Sequence, residues 1–190
     1  STGKAGLLED EPRFDYSGGA TCPSLLLEPS RTNIVESSEY FQDDYWASLG
    51  IHQFDTNTTA TTSPMGDYSA TKIIADTGSN SNHNVYGDVS LSSGTQYAVS
   101  IFAKAAEYDY LFIRGLGLGA SGGARFNIST GVVEGVAGYD SATIEDYGNG
   151  WYRCIAIGTS TTTTAPYYHM SPTPSFAPFA GNDSDGIYIW

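Results

Sequence analysis

Basic residues are scarce in this chain: eight Lys and Arg stand against twenty-one Asp and Glu among 190 residues, for a net charge of −13. Affinity for a phosphate backbone comes largely from Lys and Arg displacing counterions, so nucleic acid is excluded as a general partner. An anionic membrane surface is disfavoured for the same reason. Cysteine is almost as rare. Cys22 and Cys154 are too few for a disulfide scaffold or a structural zinc site, and their spacing does not say whether they pair. No run of about 18 apolar residues occurs, so no membrane-spanning helix is predicted, and Ser1-Thr2-Gly3-Lys4 opens no signal-peptide core. Heptads and long amphipathic faces are missing, which excludes a coiled-coil stalk.

What is present favours strands. Twenty-two Gly, fourteen Tyr, abundant Thr and Ser and only 15% charged residues suit pleated, half-buried surfaces and turns better than helices. Period-two segments recur at Thr71–Ala75, Asn84–Leu91, Gln96–Lys104, Tyr108–Leu116, Ala124–Ile128, Val132–Val136, Ala142–Tyr147, Trp151–Gly158 and Tyr167–Ser171. In Gln96–Lys104 the residues Tyr97, Val99, Ile101 and Ala103 share one side. Turns fall at Ser93-Gly94, Thr130-Gly131 and Asn149-Gly150. A single helical turn is expected from Ser37 or Ser38 through Phe41, and Thr58–Thr62 and Ser160–Thr164 read as exposed loops or edge strands. The prediction is an all-β, jelly-roll-like antiparallel β-sandwich over residues 24–190, preceded by an extended N-terminal arm over 1–23. The start without Met and the close at Ile187-Tyr188-Ile189-Trp190 read as a piece of a longer or processed polypeptide.

Chemical motifs are thin. Gly117-x-Gly119-x-x-Gly122 has the letters of a dinucleotide fingerprint, but strand-like residues follow where a helix N-terminus is needed. His52, His83 and His169 lack the spacing of a local metal site, and no Gly-x-Ser-x-Gly elbow occurs. His83, in the polar loop beside Tyr86, is the histidine best placed to touch a ligand. Glu107 with Asp109 and Glu145 with Asp146 could flank a glycosidic bond if their carboxyls stood about 5 to 9 Å apart. Solvated edge charges are the commoner reading of such pairs. Asn182-Asp183-Ser184-Asp185-Gly186 offers close-set oxygens, with Asp183 and Asp185 the candidate ligands of a structural calcium ion.

Aromatic residues make the positive case for a sugar ligand, since pyranose faces stack on rings while polar side chains bond the hydroxyls. Tyr97, Phe102, Phe112, Phe126 and Trp151 lie in strong strands and are expected to pack in the core. Tyr86, Tyr108, Tyr110, Tyr139, Tyr167 and Tyr168, nearer loops and strand ends, are the expected binding surface. Arg114 and Arg153 either pair with an acid or line a face.

Longer motifs carry a resemblance. Leu25-Leu26-Leu27, Glu28, Arg31-Thr32-Asn33-Ile34-Val35, Tyr40-Phe41 and Trp46 resemble the opening of β-sandwich modules of bacteriophage tail fibres. Ser93-Gly94 with Tyr97, Val99, Ile101 and Ala103-Lys104-Ala105 follows, then Thr130-Gly131, Gly148 to Cys154, and Gly186 to Trp190, in the order such modules show. The first stretch is also distantly similar to carbohydrate-binding modules of families 4 and 9. Those modules commonly hold calcium through an acid after the first-strand aromatic, where this chain has Gln42 after Phe41, and through an acid in the last strand, where it has Tyr188 and Trp190. The resemblance implies a non-catalytic, extracellular virion module that binds host surface polysaccharide or a receptor. It also implies other virion proteins as partners and a homo-oligomer, with a trimer favoured. A purely structural module is the alternative, and a polysaccharide depolymerase component a more distant one.

Overall fold

Alternation of apolar and polar residues is realised as antiparallel ladders, and in the computed structural model fourteen strands account for the regular structure among the described residues. The structure describes residues 14–15, 24–25, 32–35, 37–38, 40–78, 82–115, 122–161, 167–173 and 177–190, with the side chains of 14, 15, 24, 25 and 167–169 excepted. The chain divides into two units, 1–33 and 34–190. In the first, β1 (Phe14–Asp15) pairs with β2 (Ser24–Leu25). Cys22 lies outside the described residues.

The second unit is a sandwich of two six-stranded antiparallel sheets. Its strands are β3 (Trp46–Leu49), β4 (Ile51–Asp55), β5 (Thr71–Ala75), β6 (Asn84–Asp88), β7 (Gln96–Ala105), β8 (Tyr110–Arg114), β9 (Gly123–Asn127), β10 (Val132–Ala137), β11 (Ser141–Asp146), β12 (Trp151–Thr159), β13 (Tyr167–Ser171) and β14 (Gly186–Ile189). The first sheet has the order β10-β9-β8-β13-β6-β3 and the second β11-β12-β7-β14-β5-β4. Within these, β5-β14-β7-β12 faces β6-β13-β8-β9, which is the jelly-roll arrangement of eight strands. Strands β3 and β4 extend one side of it and β10 and β11 the other. At each side the chain passes directly from one sheet to the other: Gly50 turns the corner between β3 and β4 with φ +65°, where a side chain would be strained.

Between the sheets lie Ile73, Val85, Ile101, Ala103, Leu111, Ile113, Ala124, Phe126, Cys154, Ala156, Met170, Ile187 and Ile189, all buried. Tyr97 and Val99 pack against them, as the phase of β7 predicts. Cys154 carries a free thiol, and burial pushes its pKa up and keeps it inert. The Asn149-Gly150 hairpin forms with both residues at positive φ, the backbone of a type I′ turn, and closes β11 on β12. No helix forms among the described residues. Where a helical turn through Phe41 is expected, the chain instead makes tight turns, with Trp46 N–H donating to the Asp43 carbonyl at 2.9 Å.

Several aromatic expectations are corrected by strand phase. Phe102 and Phe112 point outward, because each is out of step with its core-facing neighbours, Ile101 and Leu111. Tyr139, expected at the surface, is only 7% exposed, and its hydroxyl is buried without a partner. It sits where the chain crosses from β10 to β11.

Trp151 is 1% exposed although it also points away from the core. The segment 56–70, expected as an exposed loop at Thr58–Thr62, covers it as a strap. The Trp151 indole donates to the Thr62 carbonyl at 2.7 Å, the Trp190 indole to Ser69 Oγ at 2.8 Å, and Lys104 Nζ to Thr61 Oγ1 at 2.9 Å. Asp67 holds the strap's own turn. Its carboxylate accepts the Ser63 and Ser69 hydroxyls, which hold it below the usual carboxylate range. Trp151→Phe removes one tether and leaves the Thr62 carbonyl bare, so stability is expected to fall by about 2 kcal/mol in urea unfolding. Proteolysis within 56–70 should accelerate; an unchanged cleavage rate would mean the strap is held by other contacts.

Candidate functional site

The outer face of the first sheet gathers the polar and aromatic side chains best able to meet a ligand. Strand phase places Tyr110, Phe112 and Arg114 of β8 and Arg125 and Asn127 of β9 on that face, opposite to Leu111, Ile113, Ala124 and Phe126. Tyr110 stands against Asn127 and Phe112 against Arg125 in the ladder. Tyr86 of β6 shares the face: it pairs with His169, whose backbone pairs on its other side with Arg114.

A bulge in β10 completes the group. Val133 pairs with Phe126 and Gly135 with Arg125, leaving Glu134 as the extra residue. A bulge re-aims the side chain it inserts, and here the Glu134 carboxylate reaches the donors of the two neighbouring strands. Oε1 accepts Asn127 Nδ2 at 3.0 Å and the Tyr110 hydroxyl at 3.4 Å, and Oε2 lies 3.6 Å from Arg125 Nε. Arg125 Nη2 donates to the Glu134 carbonyl at 3.3 Å. Beside this network the Phe112 ring lies across Gly123, filling the space a Cβ would occupy. A glycine here lets the ring settle onto the strand.

A second group forms at one end of the sandwich, and it departs from expectation. His83 is buried rather than at the surface, its side chain wholly covered. Its Nε2 lies 3.0 Å from both the carbonyl and Oδ1 of Asp76, and its ring packs on Phe179 with centroids 4.1 Å apart. Tyr108 meets the same Phe179 edge-on at 5.8 Å. Burial, and then the Asp185 and Glu107 charges, raise the Tyr108 pKa. Both residues therefore serve chiefly to pack the 82–84, 107–109 and 177–186 segments together.

The remaining expected residues fall as follows. Tyr167 and Tyr168 pair through their backbones with Asp88 and Gly87, and their side chains lie outside the described set. Asp183 Oδ1 lies 3.2 Å from His52 Nδ1, while Asp185 Oδ2 accepts Asn182 Nδ2 at 2.7 Å. Asn182 Oδ1 accepts the backbone N–H of Ser184 and Asp185. The two aspartates thus turn to different partners, and no group of three or more His, Cys, Asp or Glu side chains converges as an ion site among the described residues. Gly122 of the glycine run leads into strand β9, with no helix there to hold a pyrophosphate.

Three of the four carboxylates in the candidate pairs have structural partners. Glu107 bonds Lys72 Nζ at 2.8 Å and the Gly186 N–H at 3.0 Å, Glu145 lies 3.7 Å from Arg153, and Asp146 caps the Gly148 N–H at 2.7 Å. Phe112, Arg125, Asn127 and Glu134 are the members of the outer face that sequence reasoning passed over. The signal for three of them was available: in YLFIR and GARFN, Phe112, Arg125 and Asn127 are in step with the polar positions. Glu134 was not legible, since its aim depends on the bulge. No protein-family model matches the chain, and no curated protein matches its sequence.

Glu107 yields a test by pH. Partial burial opposes its ionisation, but Lys72 and the Gly186 N–H outweigh this and hold the carboxyl below its ordinary value of 4.5. A lowered folded pKa means stabilisation that is full above the unfolded value and lost as the pH falls through the folded one. Glu107→Gln is expected to melt a few degrees below the parent at about pH 7, with the gap closing as the pH falls through the folded pKa of Glu107. A gap that persists in acid would show that packing, not charge, carries the contact.

Proposed function

We propose that this sandwich is a non-catalytic carbohydrate-binding module of a bacteriophage tail fibre, displayed outside the host and gripping host surface polysaccharide on the outer face of the first sheet. The observation that carries this reading is the Tyr110, Phe112, Arg125, Asn127 and Glu134 group, in which an aromatic ring laid on Gly123 adjoins hydrogen-bonding side chains from three adjacent strands. A sugar needs that combination, an apolar platform for its face and donors and acceptors for its hydroxyls. The structural employment of Glu107, Glu145 and Asp146 supports a binding role over glycosidic cleavage. The order of the tail-fibre motifs along the chain supports the virion setting.

A specific observation favours a second reading, a module that builds the fibre by contact with further copies or other virion proteins. Apolar Val132 and Val136 on edge strand β10 and Leu49 on edge strand β3 are each about half exposed. In that reading the edges, not the outer face, carry the function.

Binding to an array of bacterial surface polysaccharides, with light scattering for the oligomeric state, separates the two. Phe112→Ala is expected to weaken glycan binding about tenfold or more while leaving the fold intact by circular dichroism, in line with the loss of one stacking contact and its neighbours' order. Gly123→Ala, which pushes the same ring off its seat, should weaken binding in the same direction. Silence of the unsubstituted chain on every polysaccharide, with a concentration-dependent oligomer lost on Val132→Lys, would move the assignment to the structural role.

A further inference from the structure

The outer face of the second sheet is close to neutral in a strongly acidic chain. Strand phase places Lys72, Lys104 and Arg153 there against Asp55 and Glu145, three basic residues against two acidic ones where the whole chain carries −13. Like charge opposes the approach of two copies, and opposes it least where the local charge is balanced. The strap over 56–70 covers one end of this face, above Trp151. On the ribbon of β11 and β12 beyond it, Ser141, Thr143 and Glu145 are exposed.

Register fixes what this ribbon presents. Ser141 stands opposite Ile157, Thr143 opposite Ile155 and Glu145 opposite Arg153. All six point outward, because Cys154 and Ala156, which alternate with them on β12, face the core. A row of half-buried isoleucines thus lies beside a row of short hydroxyl side chains on the solvent side of the sheet. Polar residues ordinarily fill such positions on a solvated face. The charged pair at the end of the two rows is loose, with Arg153 Nη1 3.7 Å from Glu145 Oε2 and the side chains 39% and 48% exposed.

We infer that the β11–β12 ribbon is a homotypic interface, joining two copies of this chain about a two-fold axis that runs along the strands midway between β11 and β12. Rotation about that axis lays β11 of one copy over β12 of the other. Ile155 and Ile157 then meet the partner's Thr143 and the partner's Ser141, tall side chains on short ones, while Arg153 meets the partner's Glu145. Each contact occurs twice, as an isologous interface requires. Strand directions coincide under this rotation, which is the aligned mode in which sheets stack about 10 Å apart. The centre of the ribbon has no aromatic ring for a sugar to lie on, and its rows are complementary to themselves in both height and charge. The inference goes beyond the glycan-binding reading and does not rest on it: contact through the second sheets leaves both first sheets turned outward, so one assembly displays that face twice.

The test is sedimentation of the full chain from about 5 μM to about 1 mM, with circular dichroism confirming the fold of each variant. The expected result is a concentration-dependent dimer. Ile155→Glu should weaken it about tenfold or more, and Thr143→Arg, a change at an already exposed position, should do the same by filling the seat of the opposing isoleucine. Glu145→Arg alone and Arg153→Glu alone should each weaken it about fivefold or more by setting like charges against each other, and the two together should restore it to within about twofold. A chain that stays monomeric throughout, a larger assembly, or charge variants whose losses are not recovered in the double variant overturns the proposal. So does a dimer that ignores these changes and is lost on Val132→Lys, which would place the contact on the β10 edge. Polysaccharide binding lost on Ile155→Glu in a monomeric chain would give the ribbon to a glycan instead. Phe112→Ala should leave the dimer unchanged, so failure of the glycan-binding reading is told apart from failure of this one.

Discussion

Nine consecutive residues of β12, Trp151 to Thr159, run antiparallel to Lys104 back to Gln96, and this one register decides what the rest of the second sheet can do. A slip by one residue would turn Cys154 and Ala156 to solvent and drive Arg153 between the sheets. With the register held, Ile101 and Ala103 meet the core, and the opposite face is a row in which Lys72, Tyr188, Lys104 and Trp151 stand side by side across four strands. Trp151 is too large and too apolar to be left wet at the end of that row. Its indole N–H finds the Thr62 carbonyl, and the segment 56–70 becomes a lid on the sheet instead of a free loop. The second sheet is thereby buried on its inner face and partly covered on its outer one.

The strands β5 to β13 were legible nearly to their ends because each alternates cleanly and is bounded by turn residues. Edge strands β3 and β4 were not: WASL and IHQFD are short, mostly exposed, and β4 is broken by an irregularity between Ile51 and Gln53. Their strand character comes from the partner each lies against. The strap at 56–70 escaped notice for a related reason, since nothing in its Thr- and Ser-rich residues announces an indole beneath them. Phe102 and Phe112 were misread because residue type was allowed to outweigh phase. In a half-buried strand the alternation is the stronger constraint, and both rings follow it outward. His83 shows the converse: a polar residue in a polar loop is drawn inside when Asp76 can meet one nitrogen and Phe179 can cover the ring.

Of the candidate site, Tyr86 and Tyr110 were expected from composition and position, and both lie on one sheet face. Their partners on that face come from β8, β9 and the bulge of β10, so the group spans residues 86 to 134 and has no local sequence signature. The bulge is the least predictable part and the most consequential. With regular pairing through β10, Glu134 would fall into the inward or outward phase of its strand like any other residue. As the extra residue between Val133 and Gly135, it instead reaches over Asn127 and Tyr110.

That displacement bears on the charge of the face. A glutamate placed in phase directly opposite Arg125 would form a close pair and quench it. Held by Asn127 and Tyr110, it stays at 3.6 Å, close enough to orient the guanidinium and too far to satisfy it. Rigid strands fix both groups, so neither can relax fully toward the other. With Arg125 held across the ladder from Phe112 on rigid strands, little side-chain entropy would be lost were a ligand to bind this face.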